Sequence, residues 1–310
     1  MIRLGRTDLQ VYPLCLGGNV FGWTADEQQS FEVLDAYAAA GGNFIDTADA
    51  YSAWVPGHTG GESESIIGRW MAARGTRRKM IIATKVGSAP GVKGLRAATI
   101  RSAAEASLKR LGVDRIDLYY AHVDDPETPL DETLRAFDAL ISDGKVRYVA
   151  ASNYSAARLS DALAISVREG LARYVALQTH YNLAHRHDYE GDLQRTCLQQ
   201  ELACLPYFAL ARGFLTGKYR PGTHVDSPRA AGAQAYLTER GLRLLSVLDA
   251  VAIAHDTTTA AVALAWLKQQ PTVATPIASA RTAAQLADLL PMAHLTLTKE
   301  ELGLLSDPTA

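Results

Sequence analysis

Asn43-Phe44-Ile45-Asp46-Thr47-Ala48-Asp49-Ala50-Tyr51 is the stretch on which the fold turns. A short apolar run ends in a carboxylate, and a tyrosine follows shortly after. Met80-Ile81-Ile82-Ala83-Thr84-Lys85 repeats the scheme with a lysine at its end. Ile116-Asp117-Leu118-Tyr119-Tyr120-Ala121-His122 repeats it with a histidine. Three successive strand-like segments thus deliver a polar group at the C-terminal end. In a parallel barrel that end is the face that carries chemistry.

Working outward, the same beat runs along the chain. Strands are predicted at Tyr12–Leu16, Asn43–Asp46, Met80–Lys85, Ile116–His122, Arg147–Ser152, Tyr174–Gln178, Cys204–Ala209 and Val273–Ile277. Most are short and nearly all apolar, as strands buried on both faces must be. Helical patterns separate them. Thr24-Ala25-Asp26-Glu27 reads as a capping box for a helix with Phe31, Leu34, Tyr37 and Ala38 on one face, stopped by Gly41-Gly42. Pro129 opens a helix that Gly144 stops, and Ser155 caps one that ends at Gly170. Eight strands alternating with helices, with no Pro- or Ser-rich linker, predict a single α/β domain over residues 1–310, a (β/α)8 TIM barrel. An open doubly wound sheet fits less well, because no Gly-x-Gly-x-x-Gly follows an early strand. Met1–Val11 reads as an N-terminal hairpin, placed to plug the bottom of the barrel. Ala211–Gln234, rich in Gly and Pro, reads as a functional loop. Thr298–Leu305 reads as an extra C-terminal helical segment.

Composition sets the outer bounds. The 310 residues carry a formal charge of −2, which offers nucleic acid or an anionic membrane no electrostatic purchase. Cys15, Cys197 and Cys204 are scattered and suggest reduced thiols. The opening residues lack the apolar core of a signal peptide, and no apolar run reaches membrane-spanning length. A cytoplasmic protein is expected. The oligomeric state is not legible.

The strand-end groups suggest a chemistry. A tyrosine is a poor proton donor near neutrality unless its phenolate is stabilised. Lys85 as a neighbouring ammonium would lower the Tyr51 pKa, and Asp46 would keep that ammonium charged and aimed. His122 could hydrogen-bond a carbonyl oxygen or relay its proton. Such a set suits protonation of an alkoxide as hydride reaches a carbonyl, and the reverse oxidation uses the same parts. Singly, each residue has a structural explanation; their joint placement at strand ends favours function.

With these residues assembled, the chain resembles the aldo-keto reductase superfamily, in the branch similar to bacterial enzymes and potassium-channel β subunits. The resemblance covers the hairpin start, Asp46–Tyr51, Gly61-Glu62-Ser63-Glu64 and Thr84-Lys85-Val86-Gly87. It implies that Asp46, Tyr51, Lys85 and His122 are the catalytic tetrad, with Tyr51 as general acid/base. It also implies NADP(H), with NAD(H) the less expected cofactor, and no metal. Residue by residue, Ser152, Asn153 and Gln178 resemble the groups that hold the nicotinamide carboxamide, and Tyr207 the aromatic on which the ring stacks. Phe208, Leu210, Arg212 and Lys218 resemble the pyrophosphate loop, although Phe208-Ala209 replaces the family's usual Ser-Pro. Ser279, Arg281, Gln285 and Asp288 resemble the adenosine-phosphate element, with Arg281 reading the 2′-phosphate. Gly18, Asn19 and Asp46 complete the implied cofactor set.

Val20, Phe21, Trp23 and Trp54 are expected to line the substrate pocket, with Tyr181, Asn182 and Arg212 reaching its mouth. The segment Ser52–Gly60 is either a lid or a surface insertion. Aromatics there suit a ring-bearing carbonyl or alcohol as the small-molecule partner. His185-x-His187-Asp188 with Glu190 hints at a metal, but two histidines so spaced in a loop read more simply as solvated residues. The favoured activity is NADPH-dependent reduction of aldehydes or ketones. The alternatives are NAD(P)-dependent oxidation of a sugar or cyclic alcohol, and a cofactor-binding regulatory subunit with little turnover.

Overall fold

The computed structural model describes residues 1–307. Eight parallel strands form its centre: β1 Cys15–Gly17, β2 Phe44–Asp46, β3 Ile81–Val86, β4 Ile116–Ala121, β5 Val146–Ser152, β6 Ala176–His180, β7 Ala203–Tyr207 and β8 Ile277–Ala278. They pair in the order β7-β6-β5-β4-β3-β2-β1-β8. The ring closes where Cys204 bridges Val273, with Ala274 N–H donating to the Cys204 carbonyl at 3.0 Å. Helices α1 Glu27–Ala39, α2 Glu62–Arg74, α3 Ala97–Leu111, α4 Leu130–Ser142, α5 Ala156–Glu169 and α6 Asp192–Gln199 follow the first six strands in turn. This is the (β/α)8 barrel that the alternation predicted.

Two predicted strands shift for a common reason. Pro13 and Pro276 lack an N–H, so neither can donate to a ladder. Tyr12 N–H goes instead to the Asn43 side chain at 2.8 Å, and β1 begins only at Cys15. The last strand shrinks to Ile277–Ala278, with Val273 left as an isolated bridge. At the end of β7, Phe208 adopts φ +49°, which stops the strand at Tyr207 rather than Ala209. The box at the start of α1 also moves: Asp26 is the cap and Gln29 its reciprocal partner, while Thr24 plays no part. Such a cap contributes about 1 kcal/mol. Ser155, by contrast, caps α5 through the Arg158 N–H as predicted.

The N-terminal hairpin, pairing Ile2 with Val11 and Arg3 with Gln10, buries Leu4, Leu9 and Val11 against Phe44, Ala83 and Leu118 inside the barrel. It seals the end opposite the strand C-termini. Beyond β7 lie α7 Ala230–Gln234, α8 Glu239–Ala254 and α9 Thr259–Lys268; beyond β8 lie α10 Ala283–Ala287 and α11 Lys299–Ser306, the last with a capping box of Thr298 and Glu301. Among the described residues, no single helix is long and apolar enough to cross a membrane.

Side-chain parity divides the barrel interior into layers. Alternate residues of a strand face opposite ways. Phe44, Ala83, Leu118, Ala150, Ala176 and Ala203 point inward together with the hairpin. Ile45, Ile82, Tyr119, Val149 and Leu177 belong to the separate core beneath the helices. Two positions on from an inward apolar residue stands Asp46, Lys85, Tyr120, Ser152, Gln178 or Leu205, and at the next layer His122 and Tyr207. The bottom of the barrel is packed and its top is polar.

Candidate active site

The top layer brings together three of the groups that the strand-end pattern singled out. Lys85 Nζ, wholly buried, donates to Asp46 Oδ2 at 2.6 Å, to the Thr47 carbonyl at 2.8 Å and to Tyr51 Oη at 2.9 Å. An ammonium has three donors, and all are used. Tyr51 Oη in turn donates to Asp46 Oδ2 at 3.2 Å. Asp46 Oδ1 accepts from Gln178 Nε2 at 2.9 Å, so the carboxylate also anchors an amide across the barrel.

The protonation state of Tyr51 differs from the sequence expectation. Burial pushes its phenol well above the ordinary value, and the Asp46 charge and hydrogen bond push the same way. The predicted lowering by Lys85 does not prevail, because burial, reinforced by Asp46, favours the neutral phenol. Tyr51 is therefore a neutral phenol, a proton donor held beside an ammonium. His122 packs edge-on to Tyr51 with ring centroids 6.1 Å apart. Burial first, and then the Lys85 charge, pull its pKa down to about 3, so the imidazole is neutral. Its Nδ1 is buried with no hydrogen-bond partner among the described residues. An orphaned polar atom of this kind marks a place where a ligand completes the bonding.

Asp46, Tyr51 and His122 line one wall of a cleft of about 590 Å³. Ser152, Asn153, Gln178 and Tyr207 line it further round, and Tyr207 Oη is fixed by the Asn153 side chain at 2.7 Å. Asn153 itself holds φ at +58°, in the left-handed region, and its amide donates to the His122 carbonyl at 2.9 Å. Phe208, Leu210, Arg212 and Lys218 line the cleft from the loop after β7. Asn19, Ser279, Arg281, Gln285 and Asp288 line its far end, where Ser279 Oγ donates to Asn19 Oδ1 at 2.6 Å.

Arg212, Lys218, Arg229 and Arg281 converge on this cleft, and none forms an ion pair among the described residues. Burial, followed by the charges of Arg281 and Arg229, lowers the Lys218 pKa. Burial and the charges of Arg212 and Arg281 do the same to Arg229. Cations gathered this closely repel one another, and a ligand carrying several negative charges relieves the strain. Arg229 escaped the sequence reading. It sits in Ser227-Pro228-Arg229 on the predicted functional loop, but no spacing rule distinguishes it from the neighbouring polar residues. Thr258, also in the lining, was missed likewise.

Several predicted pocket residues lie elsewhere. Gly18 stays out of the lining: its N–H donates to the Asp46 carbonyl at 2.7 Å, its carbonyl accepts from Ser63 Oγ, and its neighbour Gly17, itself buried, lines the cleft instead. A Cβ on Gly18 would lie 2.8 Å from Ser63 Oγ, so the glycine serves packing. Phe21 is wholly buried in the core beneath the helices. Tyr181 and Asn182 are buried too, bonded to Glu190 and to the Phe208 carbonyl. Val20 does line the cleft. Trp23 and Trp54 are not in the lining; they pack edge to face at 5.4 Å behind lining residues, with Trp54 6.2 Å from Tyr51 and Arg229 5.6 Å over Trp23. The Gly61–Glu64 motif turns out to brace the site: Thr47 bonds Ser63, and Glu64 bonds Thr84 and Arg110 behind the lysine strand.

Comparison with known proteins covers nearly the whole chain. Residues 13–307 match the model described as "Aldo/keto reductase family". Among relatives, an oxidoreductase of Bacillus subtilis, YrpG, is 35% identical over 98% of this chain and 94% of its own length. Norsolorinic acid reductase B of Aspergillus parasiticus is 32% identical over 95% and 80%. A probable voltage-gated potassium channel subunit beta of Oryza sativa is 32% identical over 92% and 88%.

Proposed function

The chain belongs to the aldo/keto reductase family of oxidoreductases, and from that premise we propose that it reduces aldehydes or ketones to alcohols with NADPH. The observation that carries the reading is the buried Lys85–Asp46 pair holding a neutral Tyr51 phenol at the wall of an open cleft. A charged pair sealed from water is costly, and it is best understood as machinery.

The residues fit the cofactor. Arg212, Lys218 and Arg229 offer cations for a pyrophosphate, and Arg281 offers a guanidinium for the 2′-phosphate that distinguishes NADPH from NADH. Ser152, Asn153 and Gln178 would hold the carboxamide, and Tyr207 would support the nicotinamide ring. When bound, the cofactor supplies hydride to the carbonyl carbon. The chain's own groups do the rest. His122 remains neutral and orients the carbonyl oxygen by a hydrogen bond, since its low pKa argues against a cationic relay. Tyr51 gives its proton to the oxygen as negative charge develops there. The phenolate left behind keeps the Lys85 Nζ contact that was 2.9 Å in the neutral state, and that contact strengthens as charge appears.

Trp23 and Trp54, packed beside the cleft against Arg229 and Tyr51, favour a substrate with a flat ring. The three cysteines are buried and unpaired, in keeping with a reducing cytoplasm. We take the partner to be a small carbonyl compound rather than a nucleic acid or a membrane.

The test is fluorescence titration with NADPH and with NADH, followed by a screen of aryl aldehydes and ketones. Tight NADPH binding and NADPH consumption with an aryl carbonyl support the reading. Equal affinity for both nucleotides would move the assignment toward a dehydrogenase, and binding of neither would remove the cofactor altogether.

A further inference from the structure

Between β6 and α6 the chain runs His185-Arg186-His187-Asp188, and the fold does something there that the spacing alone does not reveal. His185 Nε2 lies 2.6 Å from Asp188 Oδ2, and His187 Nε2 lies 2.7 Å from Asp188 Oδ1. One carboxylate therefore faces two imidazoles, one on each oxygen, and the donor atoms all fall within 4.8 Å of one another. We propose that His185, His187 and Asp188 form a binding site for a divalent transition metal ion, outside the cleft that holds the proposed chemistry.

The donor set selects the class of ion. Two imidazole nitrogens and one carboxylate oxygen suit Zn²⁺, Ni²⁺ or Cu²⁺, whereas Mg²⁺ and Ca²⁺ take oxygen cages. Three protein ligands leave coordination positions for water, and the exposure of His187 and Asp188 keeps the approach open. Buried Cys15, Cys197 and Cys204 offer no accessible competing thiolate.

The scaffold is built in advance of the ion. Arg186, between the two histidines, turns the other way: it forks onto Glu190 at 2.8 and 2.9 Å and donates to the Ser306 carbonyl at 2.6 Å. That anchor sends the side chains on either side of it to one face. Glu190, the fourth residue of the sequence hint, is spent on Arg186 and Tyr181 and is no ligand. Asn182 and His185 exchange backbone hydrogen bonds at 3.1 and 3.0 Å, which pins the turn. A site whose turn is already ordered loses less entropy on binding.

The site also touches the cleft at second hand. His180 stacks on His185 at 3.8 Å and lies between it and two cleft residues, Phe208 edge-on at 5.4 Å and Tyr207 nearly parallel at 5.6 Å. An ion on His185 would fix the outer ring of a stack that ends on the cleft wall. This coupling rests on the cofactor reading above, whereas the metal site itself does not.

The test is titration of untagged, chelator-stripped full-length protein with Zn²⁺ against a colorimetric zinc indicator. Expected are one Zn²⁺ per chain and at least about tenfold weaker binding in His187→Ala and Asp188→Asn, since even supporting residues commonly cost that much. His294→Ala, an exposed histidine elsewhere, should bind as the parent does. His187 is 77% exposed, so its replacement leaves the fold intact, and a matching metal-free melting curve checks this. Isotherms that are the same in the parent and in His187→Ala would overturn the site. A second titration, with NADPH in the presence and absence of Zn²⁺, reads the coupling: a shift in affinity that His187→Ala abolishes supports it. If NADPH fails to bind at all, the cofactor reading falls while the zinc isotherm still stands.

Discussion

Tyr51→Phe removes one oxygen and separates chemistry from structure. The hydroxyl accepts from Lys85 Nζ at 2.9 Å and donates to Asp46 Oδ2 at 3.2 Å. In the variant, Lys85 keeps Asp46 at 2.6 Å and the Thr47 carbonyl at 2.8 Å, and Asp46 keeps Lys85 and Gln178. No buried charge is left alone, so the stability loss is that of an ordinary hydrogen bond, about 1 kcal/mol. For a chain of this size that moves the melting temperature by only ~1–2 °C. Turnover should suffer far more. A positioned general acid contributes roughly 10²–10⁴-fold, and no other group in the cleft is an evident substitute, because His122 is neutral and Lys85 is spent on its partners.

The assay is NADPH consumption with an aryl aldehyde, run beside nucleotide titration and thermal melting. The expected pattern is a fall in kcat of about a hundredfold or more, with nucleotide affinity and melting temperature nearly unchanged. Turnover within about tenfold of the parent, with nucleotide binding intact, would refute Tyr51 as the proton donor. Collapse of the melting curve would instead mean that the hydroxyl is structural.

Arg281→Ala should weaken NADPH by about ten- to a hundredfold, the worth of a charge-assisted contact, and leave NADH within a few-fold; fluorescence titration checks both. Trp54→Ala should raise KM for aryl carbonyls while leaving nucleotide affinity unchanged, since Trp54 is half exposed and packs on Tyr51; steady-state kinetics reads the split. Asp49 is buried with neither carboxylate oxygen partnered, and desolvation followed by the Glu64 charge raises its pKa from 3.8 to about 7. Because that pKa is raised in the folded state, the cost is absent below about pH 4, grows between pH 4 and 7, and is then fully present, amounting to at most ~4 kcal/mol. Asp49→Asn should therefore flatten stability against pH in that window, as urea melts from pH 4 to 8 would show.

Much of this was legible because both the fold and the site follow from one-dimensional periods. Short apolar runs that each end in a polar residue are visible in Phe44–Asp46 and Met80–Lys85 without coordinates. What failed depended on partners far along the chain. That Gln178 would bond Asp46 across the barrel, or that burial with Asp46 would raise the Tyr51 proton affinity, depends on packing and distances no spacing encodes. Arg229 lies on an irregular loop where neither a helical nor a strand period tells which way a side chain points. Phe21 misled for the opposite reason: a loop next to the active face was taken to be all exposed, whereas this ring turns into the helical layer.

The buried pair at the centre of the site bears on why the rest of the barrel is so apolar. Lys85 is wholly buried and Asp46 nearly so. Replacing such a pair by well-packed hydrophobic residues is often neutral or stabilising, whereas removing one partner alone costs about 3–5 kcal/mol. The pair is therefore a poor device for stability and a liability under single substitution. Its cost is offset one layer down, where Phe44, Ala83 and Leu118 meet Leu4, Leu9 and Val11 of the hairpin. Each strand thus carries its stabilising residue and its functional residue two positions apart on the same face: Phe44 with Asp46, Ala83 with Lys85. It follows that hairpin substitutions should lower stability without changing the pH profile of turnover, whereas Lys85→Met, which leaves Asp46 buried without its cation, should lose activity together with about 3–5 kcal/mol of stability. A Lys85→Met variant that kept its turnover would mean that the pair is held for structure, and the division between the two layers would fall.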